Sequence, residues 1–362
     1  MLAATAGAVA LVVVGAVAAG RMDGAGRRAS PAATTAPATG PDGPGVVPDA
    51  ATLRAWGLPS RLALPDGLSG RLHLAVRDRA LLEVDLGTGA VTARPAPDQA
   101  DVLALHVLGD GTDVAADQTT VSVRRAGTDT FVPVAGLVGG YLQILAADDA
   151  TVVVSHAAPD RNELWLIGPD GTARPAAERL QQGRDWSTAR LGLRDGRLVT
   201  GFAQAIGVVD PDRGTGSAVA DGALIAADDR TVVRTVCDAT LRCTLRSGPY
   251  DDPDRWVVGL DGPLQATLLS AQLSPDGRRL LVSTYDGGVV LTLVDLTTGA
   301  LRPVPEGLPT TPFELAARFT ADGRWLIVAE ASGVVLIETA TDARLRIELG
   351  PANQIGAIDV TA

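Results

Sequence analysis

Short runs of aliphatic and β-branched residues recur along most of the chain, and turns rich in Asp and Gly separate them. One pattern is a strand, a tight turn and a second strand, as in residues 82–91 and 293–301. The other is an Asp-Gly turn that enters an apolar run, as at Asp276-Gly277 and Asp322-Gly323. Asp and Gly suit such turns because both tolerate the positive φ that a two-residue hairpin needs. Interleaved, the two patterns predict four strands in each repeat.

The first pattern occurs seven times. Its equivalent positions fall at Asp85, Arg125, Gly168, Asp210, Arg246, Asp295 and Glu338. Their spacing averages roughly 42 residues, which is typical of propeller blades. The sequence therefore predicts an all-β fold over residues 52–362, a seven-bladed β-propeller with four-stranded antiparallel blades.

The sixth repeat shows the four strands in order. Residues 266–273 are predicted to form the inner strand A, and residues 279–284, 289–295 and 300–304 to form strands B, C and D. Each segment has the length and the β-branched content of a strand.

The first and last repeats are incomplete in complementary ways. Residues 72–76, 81–85 and 91–94 supply strands B, C and D without a convincing strand A, whereas residues 354–360 resemble a strand A that no strand B follows. We expect the C-terminal strand to complete the first blade, which closes the ring and leaves no open sheet edge.

Two turns carry a family resemblance. Val294-Asp295-Leu296-Thr297-Thr298-Gly299 resembles the repeat of quinoprotein-type and YVTN-type propellers, and Leu273-Ser274-Pro275-Asp276-Gly277 resembles the repeat of TolB-like and WD40-like propellers. The resemblance covers about residues 52–362 and implies the fold. The Gly-His and Trp-Asp dipeptides of typical WD40 blades are absent, as is the Trp that ends a quinoprotein repeat. These departures weaken the implication of quinone binding, whereas the fold is still implied.

The N-terminal segment is uncharged from residue 1 to residue 20. It is long enough to cross a hydrocarbon core of about 30 Å as a transmembrane or signal-anchor helix. The alternative is a secretory signal peptide that is cleaved near Ala18. Residues 21–51 are rich in Pro, Ala, Thr and Gly, and we expect them to form a disordered linker.

Membrane orientation rests on two conflicting signals. Arg21, Arg27 and Arg28 follow the apolar segment, and the positive-inside rule would place them in the cytoplasm. Cys237 and Cys243, the only cysteines, frame the predicted turn between strands B and C of the fifth blade. Opposed hairpin positions can form a disulfide, which indicates an oxidising compartment; two buried free thiols are the alternative. We favour the disulfide, and hence a bacterial, single-pass, membrane-anchored propeller on the extracytoplasmic side.

Composition excludes several functions. All 31 basic residues are Arg, so a phosphate loop with Lys and a Schiff-base lysine are both excluded. The net charge of -11 opposes nucleic-acid binding. Local motifs for nucleophilic or metal-dependent catalysis are missing, and we expect no cofactor. Of the three histidines, only His106, in the predicted inner strand 102–108, could face a central channel.

A partner would bind where the B–C and D–A loops converge on one face of the ring. The charged and aromatic residues of that face are predicted to be Arg77, Asp78, Arg79, Asp160, Arg161, Tyr285 and Asp286. The sequence favours a non-catalytic scaffold that binds a protein, a cell-envelope polymer or a ligand. The alternative is a propeller enzyme of lactonase, glycan-cleaving or quinoprotein type, whose site is assembled from several blades.

Overall fold

A computed structural model describes residues 49–77, 79–97, 102–158, 161–181, 190–202, 205–240, 242–259, 267–285, 289–304, 317–330, 332–349 and 354–362. The predicted anchor and most of the predicted linker lie outside these ranges. Within them, no helix is both long enough and apolar enough to span a membrane.

The strands form seven four-stranded antiparallel sheets, each ordered A, B, C and D outward from the centre. The blades are numbered in the chain order of their strands B, C and D. Blade one contains β28 (Ile355–Thr361), β1 (Arg71–Val76), β2 (Ala80–Asp85) and β3 (Val91–Arg94). Blade two contains β4 (Ala104–Val107), β5 (Asp113–Ala116), β6 (Thr120–Arg124) and β7 (Val132–Val138). Blade three contains β8 (Tyr141–Ala147), β9 (Val152–Ala158), β10 (Arg161–Ile167) and β11 (Ala173–Pro175). Blade four contains β12 (Leu191–Arg194), β13 (Arg197–Phe202), β14 (Ala205–Asp210) and β15 (Thr215–Asp221). Blade five contains β16 (Ala223–Ala227), β17 (Thr231–Cys237), β18 (Cys243–Pro249) and β19 (Trp256–Gly259). Blade six contains β20 (Thr267–Leu273), β21 (Arg279–Tyr285), β22 (Val289–Asp295) and β23 (Leu301–Val304). Blade seven contains β24 (Ala317–Phe319), β25 (Trp325–Glu330), β26 (Gly333–Glu338) and β27 (Arg344–Glu348). The two short helices are α1 (Ala50–Ala55) and α2 (Glu178–Gln181).

The chain is a seven-bladed β-propeller, as the repeat predicts. The predicted strands of the sixth repeat agree with β20 to β23 to within a residue at each end. The predicted closure is also confirmed, because β28 pairs antiparallel with β1, with Thr361 opposite Arg71 and Ile358 opposite Leu74. The C-terminal strand is therefore the inner strand of the first blade.

The core is divided between the blades. The described residues contain seven buried apolar clusters, one at each interface between neighbouring blades. Successive side chains of a strand point to opposite faces, so each strand serves two interfaces. In β25, Leu326 and Val328 pack toward blade six, whereas Trp325 and Ile327 pack toward blade one.

The residues that precede the first strand of blade one also help to close the ring, because they pack between the last blade and the first. Asp49 caps α1 by accepting a hydrogen bond from the Thr52 amide at 2.7 Å. Leu53, Leu58 and Leu62 are then buried between blades seven and one, together with side chains of both blades. Part of the segment that we assigned to a linker, residues 49–51, thus begins the folded domain.

Candidate channel site

A central cavity of about 590 Å³ lies where the seven inner strands meet. Its lining includes residues of β4, β8, β12, β16, β20, β24 and β28, so every blade contributes. It also includes Asp148, Asp149, Asp228 and Pro275, which belong to turns between strands A and B. We call the side of the ring that carries these turns the A–B face. The cavity reaches this face, opposite the loops that the sequence singled out.

One structurally equivalent position of each strand A defines the chemistry of the cavity. We call these seven residues the channel ring, and all of them line the cavity. From blade one to blade seven they are Asp359, His106, Ala146, Gly192, Ala226, Gln272 and Arg318. In each blade, the ring residue pairs with the equivalent residue of strand B. All seven therefore lie at the same height along the channel axis.

The channel ring is divided into two unlike halves. The small half, on blades three to five, consists of Ala146, Gly192 and Ala226. Gly192 allows close packing, because an added Cβ would lie 2.5 Å from the carbonyl oxygen of Ala227 on the next blade. The polar half, on blades six, seven, one and two, carries an amide, a guanidinium, a carboxylate and an imidazole. At the level of this ring, the cavity therefore has polar groups on one side and only small residues on the other.

Contacts in the polar half connect four consecutive blades. Nε of Arg318 lies 3.4 Å from Oδ1 of Asp359. Oδ2 of Asp359 accepts a 2.8 Å hydrogen bond from the Val107 amide and lies 3.1 Å from Nδ1 of His106. Nε2 of His106 is 3.0 Å from the carbonyl oxygen of Asp148. Arg318 and Asp359 thus contact the inner strand of the next blade, and His106 contacts the turn that follows the inner strand of blade three.

These contacts determine the protonation of His106. Both ring nitrogens face acceptors, a carboxylate oxygen and a carbonyl oxygen, and only the imidazolium can donate to both. Burial opposes this charge, but the charge of Asp359 and the hydrogen bonds to Asp359 and to the Asp148 carbonyl together raise the pKa of His106 above its usual value. Burial likewise opposes the Asp359 anion, yet His106 and Arg318 lower the pKa of that carboxyl to about 2.

The acidic side chains of the turns at the A–B face accept hydrogen bonds from backbone amides of the same turns. One carboxylate oxygen of Asp148 accepts hydrogen bonds from the amides of Ala150 and Thr151, at 2.8 and 2.7 Å. Asp228 does the same for Arg230 and Thr231. Burial raises the pKa of both carboxyls. Within the described ranges, no group of three His, Cys, Asp or Glu side chains has the arrangement of a metal site.

The loop residues predicted as a partner surface are only partly described. Asp78, Asp160 and Asp286 lie outside the described residues, as do the side chains of Arg161 and Tyr285. The guanidinium of Arg79 lies over the Trp56 ring, 5.1 Å from its centroid, and the amide of Arg77 donates to the Gln354 carbonyl at 2.8 Å. Neither of these two arginines lines the cavity, and the partner surface stays a prediction.

The sequence identified one member of the channel ring and missed three other polar ones. His106 does face the channel, as its predicted inner strand allowed. Gln272, Arg318 and Asp359 were not singled out. A signal for two of them exists, since Gln272 and Arg318 each stand two residues before the Ser or Thr that begins an Asp-Gly turn.

The cysteine prediction is confirmed. Cys237 and Cys243 form a disulfide and lie opposite each other at the ends of β17 and β18. The turn they enclose is also held by a 2.9 Å hydrogen bond from the Asp238 amide to the Arg242 carbonyl.

No protein-family model matches the chain, and no curated protein matches it in sequence. Among solved structures, it is similar to apo AztD from Citrobacter koseri (13% identity, TM-score 0.48, 80% of this chain and 97% of that one). It is also similar to a candidate 6-phosphogluconolactonase from Bacteroides uniformis (15% identity, TM-score 0.48, 81% of this chain and 99% of that one). A third similar structure is the dihydro-heme d1 dehydrogenase NirN in complex with DHE (15% identity, TM-score 0.45, 83% of this chain and 77% of that one). The assignment to the propeller class rests on the seven blades of the chain itself.

Proposed function

We propose that this chain is a non-catalytic, ligand-binding propeller whose central channel holds a small molecule. The observation that carries the proposal is the division of the channel ring into a polar half and a small half. Small-molecule sites usually combine a concave space of about 300–1,000 Å³ with a few convergent polar groups. The cavity of about 590 Å³ and its four polar ring residues fit that description.

The polar groups are arranged for binding rather than for proton transfer. A general base needs a ring nitrogen or carboxylate oxygen that can reach the substrate proton. Both nitrogens of His106 already face acceptors of the protein, and both oxygens of Asp359 contact neighbouring groups. A ligand would therefore meet a rigid, internally hydrogen-bonded wall.

One observation favours the alternative, a propeller enzyme of lactonase, glycan-cleaving or quinoprotein type. Asp359, His106 and Arg318 come from different inner strands and meet in the channel, which is how a site assembled from several blades would look. Ring-opening of a panel of lactones by the purified chain, abolished by His106→Gln, would establish the enzyme instead of the binding protein.

The cellular setting is part of the proposal. The disulfide supports an oxidising compartment. With the apolar segment at residues 1–20, it supports a propeller held on the outer side of the cytoplasmic membrane, or secreted after cleavage near Ala18. A protein or cell-envelope polymer bound at the loop face, around Arg77 and Arg79, would be a second partner on the opposite side of the ring.

The test fills the small half of the channel ring. Ala146→Leu adds side-chain volume in the cavity, whereas the control Ala218→Leu adds it on the exposed outer strand β15. The full chain in detergent is screened against small metabolites by thermal shift. We expect hits with the wild type and with Ala218→Leu, weakened at least about tenfold in Ala146→Leu, since overpacking a site excludes its ligand. Equal affinity in all three proteins would place the ligand elsewhere and refute the channel site.

A further inference from the structure

We infer that the channel selects a small organic cation, a primary ammonium being the simplest, and that Asp148 and Asp228 at the A–B face bind its charge. The inference rests on the proposed function, because it names the chemistry of the ligand that the channel holds. A separate observation, at Gln272, indicates a ligand that donates hydrogen bonds.

The first step is the charge of the whole cavity. The charged residues of its described lining are Asp148, Asp149, Asp228, Asp359, His106 and Arg318. Four carboxylates thus stand against two cationic groups, and the net charge of -11 over the whole chain adds to the negative potential. The cavity therefore attracts a cationic ligand and repels an anionic one.

The second step asks which of these charges are already paired. In the polar half, the Asp359 carboxylate lies 3.1 Å from the His106 ring and 3.4 Å from the Arg318 guanidinium. Arg318 also donates a 2.9 Å hydrogen bond to the Ala317 carbonyl. The polar half thus pairs its charges within the protein, and the excess of negative charge lies with the aspartates of the A–B face.

The aspartates of the A–B face lack such ion pairs. One oxygen of Asp148 and one oxygen of Asp228 accept hydrogen bonds from backbone amides of their own turns. Over the described ranges, the second oxygen of each carboxylate accepts no hydrogen bond, and neither carboxylate pairs with a basic side chain. Burial raises the pKa of both carboxyls, and the nearby Asp229 carboxylate raises it further. A bound cation would stabilise both anions.

Gln272 supplies the independent observation. It lines the cavity in the channel ring, on the blade next to that of Asp228. Its carbonyl oxygen Oε1 is buried and accepts no hydrogen bond from the described part of the chain. A buried acceptor without a donor costs free energy, so an N–H group of a ligand would stabilise the site. An ammonium group carries three such donors, whereas a carboxylate carries none.

The third step is space. Asp148 and Asp228 each stand two residues after a member of the small half, Ala146 and Ala226. Gly192, on the blade between them, has no side chain. An apolar ligand body can therefore lie against the small half while its cationic end meets the two carboxylates. A primary ammonium on a small hydrocarbon body has this form.

The experiment compares three probes of one shape: the cationic benzylammonium, the neutral benzyl alcohol and the anionic benzoate. Binding to the full chain in detergent is measured by isothermal titration at pH 7.5 and low ionic strength, where salt screens the carboxylates least. We expect benzylammonium to bind at least about tenfold more tightly than benzyl alcohol, since one charge-assisted contact is worth about that factor. We expect benzoate to bind most weakly.

Two variants locate the effect. Asp148→Asn/Asp228→Asn removes both charges and keeps an oxygen for the turn amides, and it should lower benzylammonium affinity at least about tenfold without changing benzyl alcohol affinity. The matched control is Asp117→Asn. Asp117 accepts hydrogen bonds from the Thr119 and Thr120 amides in the same way, but in the B–C turn of blade two on the opposite face, so its variant should change neither affinity. Circular dichroism and a melting curve confirm that each variant is folded before titration.

The outcomes separate this inference from the proposed function. If benzyl alcohol or benzoate binds as tightly as benzylammonium and Ala146→Leu abolishes that binding, the channel holds a ligand without selecting a cation. Benzylammonium binding that Asp148→Asn/Asp228→Asn leaves intact would also overturn the inference. So would no benzylammonium binding up to about 10 mM, because that concentration corresponds to a weaker contact than a charged pair provides.

A metal ion is the remaining competitor for the two carboxylates. Within the part of the chain that the structure describes, no three His, Cys, Asp or Glu side chains are arranged as a metal site, which favours an organic cation. The titration is therefore repeated in about 1 mM calcium, the affinity range of extracellular calcium modules. We expect unchanged benzylammonium binding, and its displacement by calcium would overturn the inference.

Discussion

Nδ1 of His106 lies 3.1 Å from Oδ2 of Asp359, although the first residue belongs to blade two and the second to the C-terminal strand of blade one. The second ring nitrogen of His106 reaches the Asp148 carbonyl of blade three. The contact therefore joins three blades at the centre of the ring, and its strength depends on the charge of the imidazole.

The first prediction concerns pH. The folded pKa of His106 is raised, so its contribution to stability is complete below the ordinary value of 6.5 and is lost as the pH rises through the folded pKa. The folded pKa of Asp359 is lowered from 3.8 to about 2. Its contribution to stability is therefore complete above pH 3.8 and is lost as the pH falls from 3.8 through the folded pKa of about 2. Between pH 3.8 and 6.5, we expect His106→Gln to lower the free energy of unfolding by about 1–3 kcal/mol.

The measurement is the melting temperature of the wild type and of His106→Gln from pH 4 to 9. The difference in melting temperature between the wild type and His106→Gln should become smaller as the pH rises above the folded pKa of His106. A difference that stays constant over the whole range would contradict the charged contact.

His73 provides the opposite control. It is buried, and burial lowers its pKa to about 4. A histidine that stays neutral in the folded protein reduces stability as the pH falls from 6.5 toward 4, because the unfolded chain takes up the proton first. His73→Gln should therefore flatten the acid side of the stability profile, whereas His106→Gln should not.

The second prediction concerns Gly192 in the small half of the channel ring. In Gly192→Ala, the new Cβ would meet the carbonyl oxygen of Ala227 at 2.5 Å, which must push the inner strands of blades four and five apart. We expect a loss of about 1–3 kcal/mol in the free energy of unfolding, as for other overpacked positions. Urea denaturation measures this loss.

Gly201→Ala is the control in the same blade. Gly201 lies in β13, and an added Cβ would have no atom within 4 Å. This substitution should change stability by less than about 0.5 kcal/mol. If the two alanine variants unfold at the same urea concentration, the close approach at Gly192 has no energetic importance.

The third prediction concerns ring closure. Deleting residues 352–362 removes β28 and with it the partner of β1, and it exposes the buried side chains of Leu72 and Leu74. We expect the cooperative melting transition to disappear. Deleting Ala362 alone, which is exposed and follows the strand, should leave the transition unchanged. A truncated chain that melts as sharply as the wild type would show that β28 is dispensable for closure.

The fourth prediction concerns the disulfide. Reduction should lower the stability of the wild type by about 2 kcal/mol, because the disulfide restricts the unfolded chain and the loop that it closes is short. Melting curves with and without dithiothreitol measure the effect. The Cys237→Ser/Cys243→Ser variant should not respond to the reductant, and free thiols in the unreduced wild type would contradict the bond.

The sequence by itself determined the number of blades, the four strands of each and the closure by the C-terminal strand. These features follow from local chemistry, because alternating apolar residues specify a strand and Asp-Gly specifies its turn. It also favoured the pairing of Cys237 with Cys243, and the structure places both at the ends of one hairpin and forms the bond.

Only the tertiary structure decided which side chains meet in the channel. The inner strands β8, β16 and β20 each contain a register shift, between Ile144 and Ala146, Leu224 and Ala226, and Leu268 and Ser270. A shift of one residue moves every following side chain to the other face of a strand, so alternation alone cannot show which residue points inward. The contact of Arg318, Asp359 and His106 further requires the ring to bring blades seven, one and two together, which is a consequence of closure and not of any one repeat.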